Sequence, residues 1–260
     1  MTSLHVIDLF RLDGDRALVT GAGSGLGRIA ALTLAEAGAT IAVIDIDGDA
    51  AETVAGEIRA GGGEASAWRL DVGDEAAVIA TVAAVVDRFR RIDVLVNNAG
   101  ITRRLPTETF PTEEWRRIVD VNLNAAFYCC REVGAHMLAS GGGRIVNMAS
   151  IMGLSGGGFF PSIGYHATKG ALVNITRALA AEWASRGIRV NAIAPTFVTT
   201  KLTEKLREDR DMVRAIEART PIGRFAEPEE IAGGILYLAS RASSMVTGHI
   251  LAIDGGFLAI

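Results

Sequence analysis

Tyr165 and Lys169 stand four residues apart in a segment of helical period, so both side chains project from one face of that helix. The spacing has a chemical use. A phenol ionises near pH ~10 in water, and an ammonium beside it favours the phenolate and lowers that value toward the working range. Such a tyrosine can take a proton from an alcohol or give one to a ketone. A Tyr and a Lys at this spacing also occur as a packing contact and a surface charge, so the pair needs company. Ser150 closes a β-type run upstream, and Asn97-Asn98-Ala99-Gly100 closes another. Both would lie at the carboxyl edge of a parallel sheet, where ligands sit in open α/β folds.

A second constellation precedes these. Thr20-Gly21-Ala22-Gly23-Ser24-Gly25-Leu26-Gly27 follows an apolar run and opens a helical one. In that context free backbone N–H groups and the positive end of a helix dipole can face a pyrophosphate, and glycine removes the Cβ atoms that would collide with it. The spacing is G-x-x-x-G-x-G, and the same loop could be a plain strand-to-helix connection. The next strand ends at Asp45, within the ~20-residue distance at which an acid reaches the adenosine ribose. A carboxylate there accepts from both ribose hydroxyls and repels a 2′-phosphate, which favours NAD over NADP. Neither Ser24 nor Ile46 is basic, so the usual counter-charge for a phosphate is missing, and Arg28 reads as part of a solvated helix face.

Taken together these motifs resemble the short-chain dehydrogenase/reductase family, from about Asp13 to Gly256. The resemblance rests on the loop Thr20–Gly27, Asp71 after the third strand, Asn97–Gly100, Asn122, Ser150, the YxxxK of Tyr165–Lys169, Pro195, and Asp254-Gly255-Gly256. It implies Tyr165 as general acid/base, Ser150 as the hydrogen-bonding partner of the substrate oxygen, and Lys169 as the group that binds the nicotinamide ribose and depresses the tyrosine pKa. It implies that Asn122 holds a water linking the lysine to solvent. Cofactor contacts implied are Gly21, Ser24, Gly25, Leu26, Gly27, Asp45, Ile46, Asp71, Val72, Asn98, Ala99, Gly100, Tyr165, Lys169, Val198 and Thr200. Thr196 departs from the pattern, since the family has glycine after that proline, and a side chain there would narrow the pocket or shift the loop. No metal is expected.

The implied reaction exchanges a secondary alcohol and a ketone with NAD, on a small-molecule substrate. The pocket would be built from Leu154, Gly156–Gly158, Phe159 and Phe160, with the 197–221 segment as a lid inserted in the domain. Phe10–Gly14 and Ile101–Arg104 resemble members acting on sugars, polyols and sugar acids. Arg103 or Arg104 could pair with a substrate carboxylate in bidentate fashion; alternatively they are solvated or bridge subunits. A 3-oxoacyl thioester reductase is the other substrate class, and a dinucleotide-binding scaffold without turnover is the other kind of protein. The family resemblance also implies a homotetramer, and the apolar ending Phe257–Ile260 suits burial against a neighbour.

The elements that must position these residues alternate. Short β-branched runs at 17–20, 40–45, 65–70, 94–97, 144–150, 189–194 and 250–254 are separated by helical segments at about 25–37, 48–60, 74–90, 112–138, 164–185 and 227–239. Ser24, Asp74 and Thr112 read as helix-opening caps. The pattern predicts a Rossmann-type doubly wound α/β fold, with a parallel sheet of about seven strands, helices on both faces, and one domain over 1–260. Composition agrees: the chain is 49% hydrophobic and 22% charged at a net charge of −4, with no basic footprint for nucleic acid. The longest apolar stretch, 76–86, is far shorter than the ~20 residues of a bilayer crossing. Two adjacent cysteines, Cys129 and Cys130, and a beginning without a leader pattern point to a reducing, cytoplasmic location.

Overall fold

Seven parallel strands run in the order β3-β2-β1-β4-β5-β6-β7: β1 Arg16–Thr20, β2 Thr40–Asp45, β3 Ala65–Arg69, β4 Val94–Asn97, β5 Gly143–Met148, β6 Ile188–Pro195 and β7 Ile250–Ile253. This is a computed structural model, and it describes residues 5–260. Met1–Leu4, where the reading of the leader begins, lie outside the described residues. The helices are α1 Gly25–Glu36, α2 Gly48–Ala60, α3 Glu75–Phe89, α4 Thr112–Val119, α5 Ala125–Ala139, α6 Ile163–Trp183, α7 Glu204–Arg207, α8 Arg210–Ala218 and α9 Glu229–Ala239.

Alternation along the strands divides the core. Ala17, Val19, Ile41 and Val43 face α1, α2 and α9, whereas Leu18, Ala42 and Ile44 face α3, α5 and α6. Both faces are therefore apolar, as a parallel sheet covered on each side requires. Between β1 and β4 the strand order reverses direction, and the loops after these two strands diverge to leave a crevice at the carboxyl edge.

Several boundaries differ from the sequence expectation. The fifth strand stops at Met148, so Ser150 is not its last residue but the cap of a 3₁₀ turn, Ile151–Gly153, with its hydroxyl accepting from the Met152 N–H at 3.1 Å. The helix expected over 112–138 is two helices, α4 and α5, joined by a π turn at Asp120–Asn124. Asp74 caps α3 by accepting from the Ala77 N–H, but Ser24 precedes α1 without such a bond, and Thr112 is the first residue of α4, preceded by Pro111. The 197–221 segment is ordered as a 3₁₀ turn, α7 and α8, and it buries Phe197, Leu206 and Ile216 in a separate apolar cluster with Phe225 and Phe257.

Candidate active site

The glycine loop is shaped by contacts that admit no side chain. A Cβ on Gly27 would lie 2.0 Å from the Gly21 carbonyl oxygen and 2.5 Å from Asn98 Nδ2. Asn98 fixes the loop from the neighbouring strand, donating to the carbonyls of Thr20 at 3.0 Å and Gly21 at 3.1 Å. Thr20 Oγ1 accepts in turn from the backbone N–H of Asn98 and Ala99. The Asp45 carboxylate takes one bond from each side, from the Gly23 N–H at 2.8 Å and the Asp47 N–H at 3.0 Å. It therefore orders the loop and retains lone pairs for a ligand hydroxyl.

A cleft of about 780 Å³ opens along this edge. Gly21, Ser24, Gly25, Leu26, Asp45, Ile46, Asp71, Val72, Asn98, Ala99 and Gly100 line one part of it, and Ser150, Tyr165, Lys169, Val198 and Thr200 line another. Two expected residues stand behind the wall: Gly27 beneath the loop and Asn122 beneath Gly100. A cleft of this size with a glycine cradle at a helix N-terminus fits a dinucleotide. Of the expected substrate wall, Phe160 lines the cleft; Leu154, Gly156–Gly158 and Phe159 do not. Thr196 and Arg104 do.

Helix α6 carries Tyr165 and Lys169 one turn apart, and the Ser150 turn packs directly on it. A Cβ on Gly153 would lie 2.6 Å from the backbone carbonyl of Lys169, so only glycine lets this turn approach so closely. The ammonium of Lys169 is buried, donates to the Met148 carbonyl at 2.6 Å, and lies 5.6 Å from the centre of the Tyr165 ring. Burial without a carboxylate lowers its pKa to about 8. Burial also raises the Tyr165 pKa, and the groups that oppose this are the Ser150 hydroxyl and the Arg104 charge. The phenol is thus acted on by an arginine that the spacing of Tyr165 and Lys169 does not announce.

Asn122 sits in the π turn and reaches the strand loop. Its Oδ1 accepts from the Ile101 N–H at 2.8 Å, and its Nδ2 donates to the Ile101 carbonyl at 2.9 Å and to Thr168 Oγ1 at 3.2 Å. Around Gly100, Asn122 Oδ1 and Lys169 Nζ lie 3.4 and 3.5 Å from the position a Cβ would take.

The two arginines after this loop part company. Arg103 pairs with Glu114 of the same chain at 2.9 Å and is exposed. Arg104 turns into the cleft, with its guanidinium 4.5 Å from the centre of the Phe160 ring. Its Nε is buried without a partner among the described residues, and burial lowers its pKa. Arg69, paired in register with Asp45, donates to the Ile46 carbonyl at 3.3 Å. It brings a positive charge beside the Asp45 loop, which only the strand register reveals.

A family profile, adh_short_C2, described as Enoyl-(Acyl carrier protein) reductase, matches residues 21–258. The D-threitol dehydrogenase of Mycolicibacterium smegmatis is 43% identical over 248 residues, covering 95% of this chain and 94% of that protein. The gluconate 5-dehydrogenase of Gluconobacter oxydans is 40% identical over 250 residues, covering 96% of each. The solved structure of a gluconate 5-dehydrogenase from Burkholderia cenocepacia, in complex with NADP and tartrate, superposes with a TM-score of 0.95 at 39% identity, covering 98% of this chain and 100% of that one. With the strand order, the glycine loop and the Ser150, Tyr165 and Lys169 cluster at one sheet edge, these matches assign the chain to the short-chain dehydrogenase/reductase family.

Proposed function

We propose that this chain is a nicotinamide-dependent dehydrogenase that interconverts a secondary alcohol and a ketone on a sugar-type substrate, a sugar acid above all. The observation that carries the acid is Arg104. A half-buried guanidinium that lines the cleft beside Tyr165, with no carboxylate partner among the described residues, is suited to pair with one on the ligand. Relatives named for gluconate and threitol support a polyhydroxy substrate. An acyl thioester would give Arg104 no carboxylate to pair with.

In this reading Tyr165 takes the proton of the substrate hydroxyl or returns it to the ketone, and Ser150 donates a hydrogen bond to the same oxygen. Lys169 holds the nicotinamide ribose. Asn122 fixes the Ile101 backbone beside Gly100 and so supports the floor on which the lysine rests. Gly21, Ser24, Gly25, Leu26 and Gly27 would hold the diphosphate, Asp45 and Ile46 the adenosine ribose, Asp71 and Val72 the adenine, and Asn98, Ala99, Gly100, Val198 and Thr200 the nicotinamide half. When bound, the nicotinamide supplies the hydride acceptor or donor. We propose NAD, because a carboxylate at the end of β2, as Asp45 is, accepts from both ribose hydroxyls and repels a 2′-phosphate. The related solved structure holds NADP, and Arg69 is the charge in this chain that would favour the phosphate.

The test is a panel of aldonic acids, polyols and hydroxyacyl thioesters with NAD and with NADP, followed by absorbance of the reduced nicotinamide. Turnover of an acid by wild type, its loss in Tyr165→Phe, and a raised KM in Arg104→Gln are expected. Dinucleotide binding with no turnover of any substrate would instead favour a scaffold. Turnover of thioesters alone would overturn the sugar reading.

A further inference from the structure

We propose that Arg219 is a positioning residue: it pins the 156–160 loop and so couples the segment carrying α8 to the substrate end of the cleft. Besides the packing of Phe159 and Phe160, the loop is held within itself by one bond, from the Gly157 N–H to Ser155 Oγ at 3.4 Å. Gly157 and Gly158 adopt φ of +69° and +92°, and among the described residues no backbone-to-backbone hydrogen bond involves residues 155–161. A chain of this kind samples many shapes unless side chains fix it.

Arg219 follows the last turn of α8 and supplies that fixing. Its guanidinium donates to the Gly157 carbonyl at 3.0 Å, while its Cζ lies 5.8 Å from the centre of the Phe159 ring and 5.2 Å from that of Phe257. One cation thus joins three parts of the chain: the end of α8, the glycine loop and the C-terminal turn. Among the described residues it forms no ion pair, so its donors are free for this work. The consequence reaches the cleft through one peptide. Phe159 and Phe160 both pack edge-on against Phe197, at 5.8 and 6.2 Å, and Phe160 lies beneath Arg104 at 4.5 Å. With Phe159 held from outside, Phe160 is presented to the cleft from inside, under the guanidinium that stands beside Tyr165.

Part of the test rests on the substrate reading above and part does not. Limited chymotrypsin cleavage of wild type, Arg219→Gln and Arg219→Lys, without added ligand and read by mass spectrometry of the fragments, reports the loop directly. Cleavage after Phe159 is expected about 10-fold faster in Arg219→Gln, as loss of one charged hydrogen bond implies, with cleavage after Tyr165 in α6 unchanged and Arg219→Lys intermediate. Unchanged cleavage after Phe159, or equal acceleration after Tyr165, overturns the positioning role whatever the substrate is. With the best substrate of the panel, Arg219→Gln should raise its KM about 10-fold while kcat and the KM for the dinucleotide move less than about 2-fold, and Arg219→Lys should recover most of the loss. A faster loop with an unaltered substrate KM overturns the coupling. Failure to find any substrate falls on the functional reading alone, since the cleavage result stands without it.

Discussion

Replacing Lys169 by methionine should make the protein more stable while removing its activity. The side chain is 3% exposed, and burial alone brings its pKa from 10.5 to about 8. That depression corresponds to about 3 kcal/mol of stability withheld whenever both the folded and the unfolded chain carry the proton. The single charged bond from Nζ to the Met148 carbonyl offsets this by about 2 kcal/mol, so Lys169→Met should gain about 1 kcal/mol at pH 7. In a domain of this size the gain corresponds to a rise in Tm of about 2 °C. The sign follows from proton counts. Below about pH 8 the folded and unfolded chains are both protonated at this site, and the penalty is complete. Between about 8 and 10.5 the folded chain has released its proton and the unfolded chain has not, so wild type gains stability as pH rises. The methionine variant has no such site. Its advantage should shrink across that window and reverse near its upper end, where only the lost hydrogen bond remains. Urea unfolding of nucleotide-free protein at one fixed concentration, at pH 7 and again near pH 10, reads the difference. A variant no more stable than wild type at pH 7, or an advantage that does not change with pH, would refute the assignment of Lys169 as a desolvated cation.

Asp45→Ala should narrow the preference for NAD over NADP and weaken binding of both, since the carboxylate also anchors the Gly23 N–H; a wild type faster with NADP at equal concentration would sink the argument from Asp45 and direct attention to Arg69. Gly27→Ala places a methyl 2.0 Å from the Gly21 carbonyl oxygen, and calorimetry should find dinucleotide binding lost together with at least about 1–3 kcal/mol of stability. Thr196→Val replaces a buried hydroxyl that has no partner among the described residues with a methyl of similar shape, so urea unfolding should show a gain of about 1 kcal/mol; a loss would mean that the hydroxyl is bonded after all. Phe127, 49% exposed on α5 with Arg131 over its ring at 5.5 Å, suits a subunit contact, and light scattering should return a tetramer; a monomer refutes that assembly.

The sheet was legible because each strand is a short apolar run between helical ones, and burial on both faces leaves that pattern intact in the composition of the chain. The residues that gather at its edge were legible for a related reason: Gly21 to Gly27, Asn98, Ser150 and Tyr165 all follow strands or open helices, and the topology brings those positions together. What escaped depends on geometry that no spacing encodes. The π turn at Asn122 has ordinary helical residues on either side. Arg103 and Arg104 are adjacent and alike in sequence, yet one meets Glu114 and the other the cleft. Arg69 reaches the Asp45 loop only because β2 and β3 pair in the register they do. Arg219 acts across 62 residues of chain, through a carbonyl rather than a side chain.

The π turn at Asp120–Asn124 gives the stretch from Thr112 to Ala139 one residue more than an unbroken helix would use to span the same path. Its two flanking helices are each regular, so the surplus is localised and a one-residue deletion there would heal the helix instead of breaking it. Such a deletion would leave α4 and α5 nearly in their present relation and remove only the bulge, which takes Asn122 out of the place from which its amide reaches Ile101. The helix would improve as a helix and the site would lose its floor. Length itself, at this one place, is therefore under the control of the site, and alignments of related chains should tolerate substitutions in the turn, at positions other than Asn122, far more readily than a gap.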